Sequence, residues 1–186
     1  FHDVALDRVT DRTGRSSELS WAEVAEARID GTEPIPLLED LFSAFPGVKI
    51  NIDPKDDSVV APLVAVLRDH DALDRVCLGS FSDRRLRRCR GLLGPGLCTS
   101  AGPLAVSRIR LSSLGLPTGR PSAECLQVPV RQGRIPIVDR RFVGHAHDRS
   151  LQVHVWTIDD PAEMHSLLDL GVDGIMTDQP SLLRSV

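Results

Sequence analysis

The sequence predicts an α/β protein built on parallel strands, and two observations lead to this prediction. Short apolar runs rich in Val, Ile or Leu alternate with amphipathic segments, and the six runs are 48–53, 75–80, 97–100, 125–129, 151–158 and 174–178. Four of the six runs end in a polar residue. A repeated strand–helix–strand order indicates parallel pairing, because parallel strands need long crossovers.

The composition is that of a globular protein. The chain has 186 residues, 41% of them hydrophobic and 26% charged, which excludes disordered, collagen-like and coiled-coil proteins. No apolar run approaches the roughly 18 residues that a bilayer span requires. The 22 basic and 26 acidic residues give a formal charge of −4, so the composition does not indicate nucleic-acid binding. We expect a single domain over residues 1–186.

The middle of the chain carries three helix signals. Residues 59–70 place apolar side chains at a spacing of three and four. Ser82 is suited to cap a helix that runs to about Gly91. Residues 95–122 contain several proline and glycine residues, which interrupt regular secondary structure. This segment predicts a loop with one helix around residues 104–109.

The two ends of the chain carry helix signals as well. Asp160, Pro161 and Glu163 predict a helix start, and Gly171 predicts its end. Ser20 and Glu23 have the spacing of a capping box, which indicates a short helix before Asp30.

Two arrangements of parallel strands remain open, a doubly wound sheet and a barrel. No glycine-rich phosphate fingerprint follows any strand, which weakens the dinucleotide-binding version. Polar residues follow or end many strands: Asp53, Lys55, Ser80, Ser100, Gln127, Thr157 and Asp178. A barrel enzyme collects its chemistry at that face, although six units fall short of eight.

Four segments carry a family resemblance. They are Phe1-His2-Asp3 with residues 6–10, then residues 35–41, residues 51–55, and residues 155–157 with 171–180. Their order and spacing resemble the glycerophosphodiester phosphodiesterase family. The resemblance implies a (β/α)₈ TIM-type barrel, N-terminally truncated to about six strand–helix units. It also implies hydrolysis of glycerophosphodiesters to glycerol 3-phosphate and an alcohol, with a divalent metal, Mg²⁺ or Ca²⁺.

The resemblance assigns roles to individual residues. His2 and Lys55 match catalytic positions, and Lys55 and Trp156 match substrate-binding positions. Asp53 matches a metal-binding carboxylate that is usually Glu. The His-Arg-Gly motif and the Glu-x-Asp pair of the family do not occur in the sequence. We therefore expect the chain by itself to be inactive without that N-terminal part.

The residue types suit phosphodiester hydrolysis. Histidine has an unperturbed pKa of about 6.5, which suits His2 to protonate a leaving oxygen. Asp3 is not automatically its partner, because neighbours in a strand point to opposite faces. Asp53 and Lys55 project to one side of an extended strand, where a carboxylate can bind a hard cation beside an ammonium for phosphate. Gln152, His154 and Trp156 share a face in the same way.

Each candidate also has a structural interpretation. His2 could be an exposed terminal residue, Asp53 and Lys55 an exposed ion pair, and Trp156 a core aromatic residue. For the protein, the alternatives to the enzyme are a non-catalytic barrel remnant that acts as a binding or assembly module, and another phosphate-binding barrel. The expected partner is a small glycerophosphodiester, with no nucleic acid and no transmembrane segment.

Other patterns do not predict a site. His145 and His147 lie two apart on a predicted helix and do not face each other. The arginines at 84, 85, 87, 88 and 90 predict a solvated helix face, and the four cysteines, at 77, 89, 98 and 125, predict buried thiols. Residues 80–82 lack the G-x-S-x-G elbow. We expect a cytoplasmic protein, although a chain that begins with Phe1 does not allow a signal peptide to be judged.

The chain is expected to self-associate when it is expressed alone. If the first two barrel strands are missing, the strands at 48–53 and 174–178 each lose a neighbour and present unpaired apolar edges. Size-exclusion chromatography should then show oligomers or aggregates. A monomer with a sharp, cooperative thermal transition would contradict this prediction.

Overall fold

The structure is a computed structural model that describes all of residues 1–186. The chain divides into two compact units, residues 1–47 and residues 48–186, which are described in turn. None of the helices is long and apolar enough to cross a membrane.

The first unit contains short elements around a small core. Its elements are α1 (Trp21–Ala25), β1 (Arg28–Ile29), β2 (Glu33–Pro34) and α2 (Leu38–Ala44), and β1 pairs with β2 in antiparallel fashion. The predicted capping box is confirmed, because the Ser20 side chain accepts from the backbone N–H of Glu23 and the Glu23 side chain accepts from that of Ser20. Leu6, Ala27 and Ile35 form the buried core.

The segment at residues 6–10 forms a turn. The Leu6 backbone N–H donates to the Gly14 carbonyl at 2.9 Å, and the Gly14 N–H donates to Oδ2 of Asp7 at 3.0 Å. Gly14 has φ +116°, a conformation that disfavours other residues. Thr10 Oγ1 donates to the Leu6 carbonyl at 2.8 Å. Asp7 and Thr10 therefore have structural roles in this motif.

The second unit alternates strands and helices. Its strands are β3 (Ile50–Ile52), β4 (Val76–Leu78), β5 (Cys125–Pro129), β6 (Arg131–Gln132), β7 (Ile135–Pro136), β8 (Gln152–Trp156) and β9 (Gly174–Ile175). Its helices are α3 (Val60–Asp69), α4 (Asp83–Leu93), α5 (Pro103–Ser113), α6 (Arg140–His147), α7 (Pro161–Leu170) and α8 (Pro180–Leu183), with a 3-10 turn at Leu73–Arg75. β6 and β7 form a short antiparallel hairpin after β5.

All six predicted strand segments pair in parallel with their neighbours in chain order. β3 pairs with β4, and single bridges join Leu78 to Thr99 and Ser100 to Cys125. β5 then pairs with β8, and β8 pairs with β9. A doubly wound sheet would reverse its strand order at a switch point, whereas a barrel keeps it. The order of the strands is therefore that of a barrel.

The core of the second unit lies between one face of this sheet and the helices. Leu126, Val128, Val153 and Val155 alternate along β5 and β8 and are buried. They belong to a cluster that also contains Phe142 of α6 and side chains of α5 and α7. Alternate strand residues consequently point to the opposite face, which we call the inner face.

The helix signals of the second unit are confirmed. Ser82 accepts from the backbone N–H of Arg85 and caps α4, which continues two residues past the predicted end at Gly91. Asp160 caps α7 in the same way, and Gly171 ends it with φ +96°. The helix expected around residues 104–109 is present as α5 and is longer at its C-terminal end.

The prediction that the arginine run forms a solvated helix face is wrong for two of its members. Arg84, Arg87 and Arg88 are exposed, but Arg85 and Arg90 are half-buried. Both nitrogens of the Arg90 guanidinium that face Thr99 donate to its Oγ1, at 2.9 and 2.6 Å. These two arginines donate hydrogen bonds to residues outside their helix. Helical spacing alone does not reveal such contacts.

Replacing the cap of α7 should lower stability. In Asp160→Ala, the backbone N–H of Glu163 loses its acceptor at 2.8 Å, and we expect about 1 kcal/mol less free energy of unfolding. The control is Asp169→Ala, which removes the same charge from an exposed position at the other end of the helix. Urea unfolding of both variants tests this, and equal midpoints would contradict it.

Candidate active site at the carboxyl ends of the strands

Asp53 and Lys55 meet directly after β3. The Lys55 Nζ donates to Oδ2 of Asp53 at 2.6 Å, and both side chains are partly exposed. The two side chains thus lie together, as the sequence predicts, but residues 53–55 follow the strand, so the alternation of a strand is not the cause. An exposed pair of this kind contributes little to stability, so stability does not account for its presence.

Arg85 holds the loops that carry this pair. Its Nη1 donates to the Pro54 carbonyl at 2.8 Å and to Ser80 Oγ at 3.1 Å, and its Nε donates to Asp57 Oδ1 at 2.9 Å. The side chain is only 14% exposed. Arg85 therefore fixes the loop after β3 against the loop after β4, and it positions Lys55 without contacting it.

We call the edge of the sheet at the carboxyl ends of the strands the rim. The inner face of the sheet next to the rim is polar. Gln127 Nε2 donates to Asn51 Oδ1 at 3.0 Å, which joins β5 to β3 across the intervening strands. A Cβ on Gly79 would lie 2.7 Å from Gln127 Oε1, so only glycine leaves room for this amide. The amide bridge and Gly79 together define the floor under the rim.

Two aromatic side chains follow strands at the same rim. The rings of Phe81 and Trp156 lie 5.8 Å apart and meet edge to face at 79°. Trp156 is half-buried and Phe81 is 72% exposed. Trp156 is therefore not a core residue, since its ring faces another aromatic ring that is open to solvent. The pair offers an apolar wall for the carbon skeleton of a substrate.

His154 lies on the inner face of β8. Its Nε2 is 3.2 Å from Gln152 Oε1, which confirms that these alternate residues share a face. Burial lowers the pKa of His154. The ring is consequently held in its neutral form more strongly than a histidine in water.

The prediction of buried thiols is confirmed for Cys89 and Cys125, whereas Cys77 and Cys98 are only partly buried. Cys77 Sγ lies 3.8 Å from Cys125 Sγ on the inner face, and all four cysteines are free. Burial raises the pKa of Cys98 to about 12, and the hydrogen bond with Cys125 and burial raise that of Cys77 further. A thiol with a raised pKa is a poor nucleophile and a poor metal ligand at neutral pH.

His2 belongs to the first unit and has an acidic partner. Its Nδ1 lies 2.8 Å from Oδ1 of Asp3, while Nε and Nη2 of Arg8 donate to the same carboxylate. The hydrogen bond from Arg8 holds the pKa of Asp3 well below its ordinary value. The argument that neighbours point to opposite faces does not apply, because residues 1–3 are not in a strand.

The two helical histidines have structural partners. His145 Nε2 lies 2.7 Å from Ser112 Oγ, and His147 Nε2 lies 2.8 Å from Asp173 Oδ2. Each ring therefore joins α6 to a different neighbouring element.

A metal ion was expected at Asp53. The described residues contain no group of three or more His, Cys, Asp or Glu side chains placed to hold a metal. The Asp53 carboxylate instead binds Lys55. The residues of the chain do not by themselves fit a divalent cation, which takes six or more oxygen ligands.

Phe81 and Arg85 are site residues that the sequence did not reveal, whereas Gln127 is one of the predicted polar residues at strand ends and only its hydrogen bond with Asn51 was not expected. Phe81 directly follows a strand-end serine, which was a usable signal. Adjacency to the buried Leu86 does not distinguish Arg85, because the exposed Arg87 adjoins the same residue, so the sequence carried no signal for Arg85.

The fold and the site together define a class of protein. Parallel strands in barrel order, with a lysine, a carboxylate and an aromatic pair at their carboxyl ends, are typical of a barrel enzyme that acts on an anionic substrate.

Comparison with known proteins gives the family. Residues 1–182 match the Glycerophosphoryl diester phosphodiesterase family. A probable glycerophosphodiester phosphodiesterase 2 of Mycobacterium tuberculosis is 38% identical over 100% of this chain and 72% of its own length. The chain belongs to the glycerophosphoryl diester phosphodiesterase family, whose members are phosphoric diester hydrolases.

Solved structures are similar in fold. A glycerophosphodiester phosphodiesterase from Agrobacterium tumefaciens has a TM-score of 0.78 and 21% identity over 100% of this chain and 80% of its own. A phosphodiesterase from Oleispira antarctica in complex with the product sn-glycerol-3-phosphate has a TM-score of 0.78 and 22% identity, over 100% and 77%. These are α/β proteins of the TIM-barrel class, which is the fold class expected from the sequence.

The stability of the protein should depend on His154 below neutral pH. Because its pKa is lowered in the folded state, the unfolded chain binds the proton first. Its contribution to stability is complete above about pH 6.5 and is lost as the pH falls below that value.

Urea unfolding at about pH 7 and about pH 5 measures this loss. His154→Gln should lose less stability over that interval than the wild type. His165→Gln, at an exposed position on α7, is the matched control. Identical losses in both variants would contradict the assignment.

Proposed function

We propose that this protein hydrolyses glycerophosphodiesters to glycerol 3-phosphate and an alcohol. The observation that carries the proposal is the pair of Lys55 and Asp53 at the carboxyl ends of barrel-ordered strands in a chain of this family. The relative from Oleispira antarctica binds sn-glycerol-3-phosphate, which supports the same product here.

Lys55 is proposed to bind the phosphate. A phosphodiester carries a negative charge that repels an attacking oxygen nucleophile, so the reaction requires positive charge on the phosphoryl oxygens. The Lys55 side chain is 44% exposed, and Asp53 and the loop held by Arg85 fix the position of its ammonium. Phosphate can take one Lys55 proton donor while Asp53 retains another, because an ammonium has three.

Trp156 is proposed to bind the carbon skeleton of the substrate. Its ring and that of Phe81 form the apolar wall described above, at the same ends of the strands as Lys55. The carbon atoms of the glycerol and the headgroup can pack against this surface, while the phosphate binds the lysine.

His2 is proposed to protonate the leaving oxygen. With Nδ1–H donated to Asp3, the other ring nitrogen is free to transfer a proton. General acid catalysis of this kind contributes roughly 10²- to 10⁴-fold to a rate. Arg8 keeps Asp3 ionised and so keeps the imidazole oriented.

A divalent metal is proposed to take part in the reaction. The family depends in general on a divalent metal. Binding of Mg²⁺ or Ca²⁺ at Asp53 would require oxygen ligands beyond those that the described residues place there. We therefore propose that the chain alone turns over substrate slowly or not at all. The two compact units are proposed to belong to one enzyme domain over residues 1–186, since the family model spans both.

Removing the Lys55 ammonium should weaken binding of the product. We expect Lys55→Met to lose at least about tenfold in affinity for sn-glycerol 3-phosphate, since charged hydrogen bonds to phosphate are lost. Lys49→Met is a matched control because Lys49 is the other of the two lysines and lies exposed before β3. Equal affinities of the two variants would contradict the assignment.

The aromatic wall provides the readout for this titration. The chain has two tryptophans, Trp21 and Trp156, so a Trp21→Phe background leaves Trp156 as the only tryptophan fluorophore. Product binding should change its emission in the Lys49→Met variant, at concentrations where the Lys55→Met variant shows no change.

A hydrolysis assay separates the enzyme from a non-catalytic binding module. The chain extended by a family His-Arg-Gly and Glu-x-Asp segment should release glycerol 3-phosphate from glycerophosphocholine, and His2→Ala should slow the release roughly 10²- to 10⁴-fold. Product binding without any hydrolysis in the extended chain would favour the binding module.

A further inference from the structure

A second feature, a cavity, lies on the helical side of the sheet. A cavity of about 540 Å³ opens between α4, the first half of α5 and residues 118–123. Neither Asp53, Lys55 nor Trp156 lines it. A cavity of this size holds a small organic molecule.

Four arginines from three segments line this cavity. They are Arg87 and Arg90 of α4, Arg108 of α5 and Arg120 of the following loop. Arg108 and Arg120 make no hydrogen bond or ion pair through their side chains. Arg87 uses only Nε, which donates to a backbone carbonyl of its own helix at 3.3 Å. Three guanidinium groups thus retain free donors at one cavity.

The single carboxylate that lines the cavity does not balance this charge. Oδ2 of Asp83 accepts from the backbone N–H of Leu104 at 3.2 Å, and Asp83 thereby caps the start of α5. Gly102 permits this contact, since a Cβ there would lie 2.4 Å from Asp83 Oδ1. Asp83 therefore has a structural role at the start of α5. The four arginines outnumber it, so the cavity has a net positive charge.

The excess of positive charge is confined to the surroundings of this cavity. The chain has a net charge of −4, so a group of four arginines around one cavity does not follow from a basic composition. Positive charges around one cavity repel one another, and an anion bound between them would relieve this repulsion. The cavity is also lined by Ala101, Ala105 and Ala123, and such apolar walls strengthen the attraction for an anion.

We propose that this cavity binds a small molecule that carries phosphate groups. Arginine forks donate two parallel hydrogen bonds to phosphate oxygens, and the alanine walls accept an apolar portion of the ligand. The ligand is either a soluble organophosphate or the headgroup of an anionic phospholipid, which present the same chemistry. The site is independent of the rim, so its occupancy does not require hydrolysis.

Calorimetric titration with inorganic pyrophosphate tests the site. The titration uses the full chain in the Lys55→Met background, so that the rim lysine does not contribute. Arg108→Gln with Arg120→Gln should weaken binding at least about tenfold. The control is Arg140→Gln with Arg141→Gln, which removes the same charge from exposed positions on α6 and should change affinity by less than about twofold.

A further variant separates the cavity from a charged surface. Ser122→Trp places a large ring in the cavity while every arginine remains. The ring should also abolish pyrophosphate binding. If binding survives in Ser122→Trp, or falls equally in both double variants, the proposal is wrong.

Vesicles of equimolar phosphatidylcholine and phosphatidylglycerol identify the source of the phosphate. Co-sedimentation that Arg108→Gln with Arg120→Gln abolishes assigns the site to a lipid headgroup. Pyrophosphate binding without co-sedimentation assigns it to a soluble organophosphate. Failure to bind either probe overturns the proposal, and it leaves the proposed role of Lys55 unaffected.

Discussion

Parallel pairing of strands in chain order is the constraint on which the second unit depends. Each strand ends at the same edge as its neighbour, so the loops after β3, β4, β5 and β8 come together although they are far apart in the sequence. For this reason the same edge of the sheet carries Lys55, Phe81 and Trp156. The same pairing sends alternate side chains to the helices, where they form the core, and leaves the polar inner face to Asn51 and Gln127.

The rim is held by neutral and charged hydrogen bonds behind it. Arg85 is nearly buried and joins three oxygen atoms from the loops after β3 and β4. The free-energy cost of burying its charge is offset by these hydrogen bonds, one of which goes to the carboxylate of Asp57. Arg85 and Arg90 show that one arginine-rich helix serves two purposes: some residues face solvent, while others join the helix to the strand ends. The cavity between α4 and α5 adds a third purpose for Arg87.

Much of the local structure was predictable because its causes are local. The capping box at Ser20, the cap at Asp160 and the helix end at Gly171 each depend on residues within one turn. The strand segments were predictable because burial requires apolar runs. The contact of Asp53 with Lys55 was expected from two-residue spacing in a strand, but both residues follow β3, so the contact depends on the loop instead. The partner of His2 was not, because residues 1–3 are extended chain outside any strand.

The sequence by itself determined the parallel α/β class, the family resemblance and the candidate residues His2, Asp53, Lys55 and Trp156. Only the tertiary structure decided that the strands follow barrel order, that Phe81 faces Trp156 and that the described residues form no complete metal site. It also decided that Arg108 and Arg120 line one cavity with Arg87. The reason is physical: spacing along the chain fixes which face a side chain takes, whereas contacts between distant segments depend on how whole elements pack.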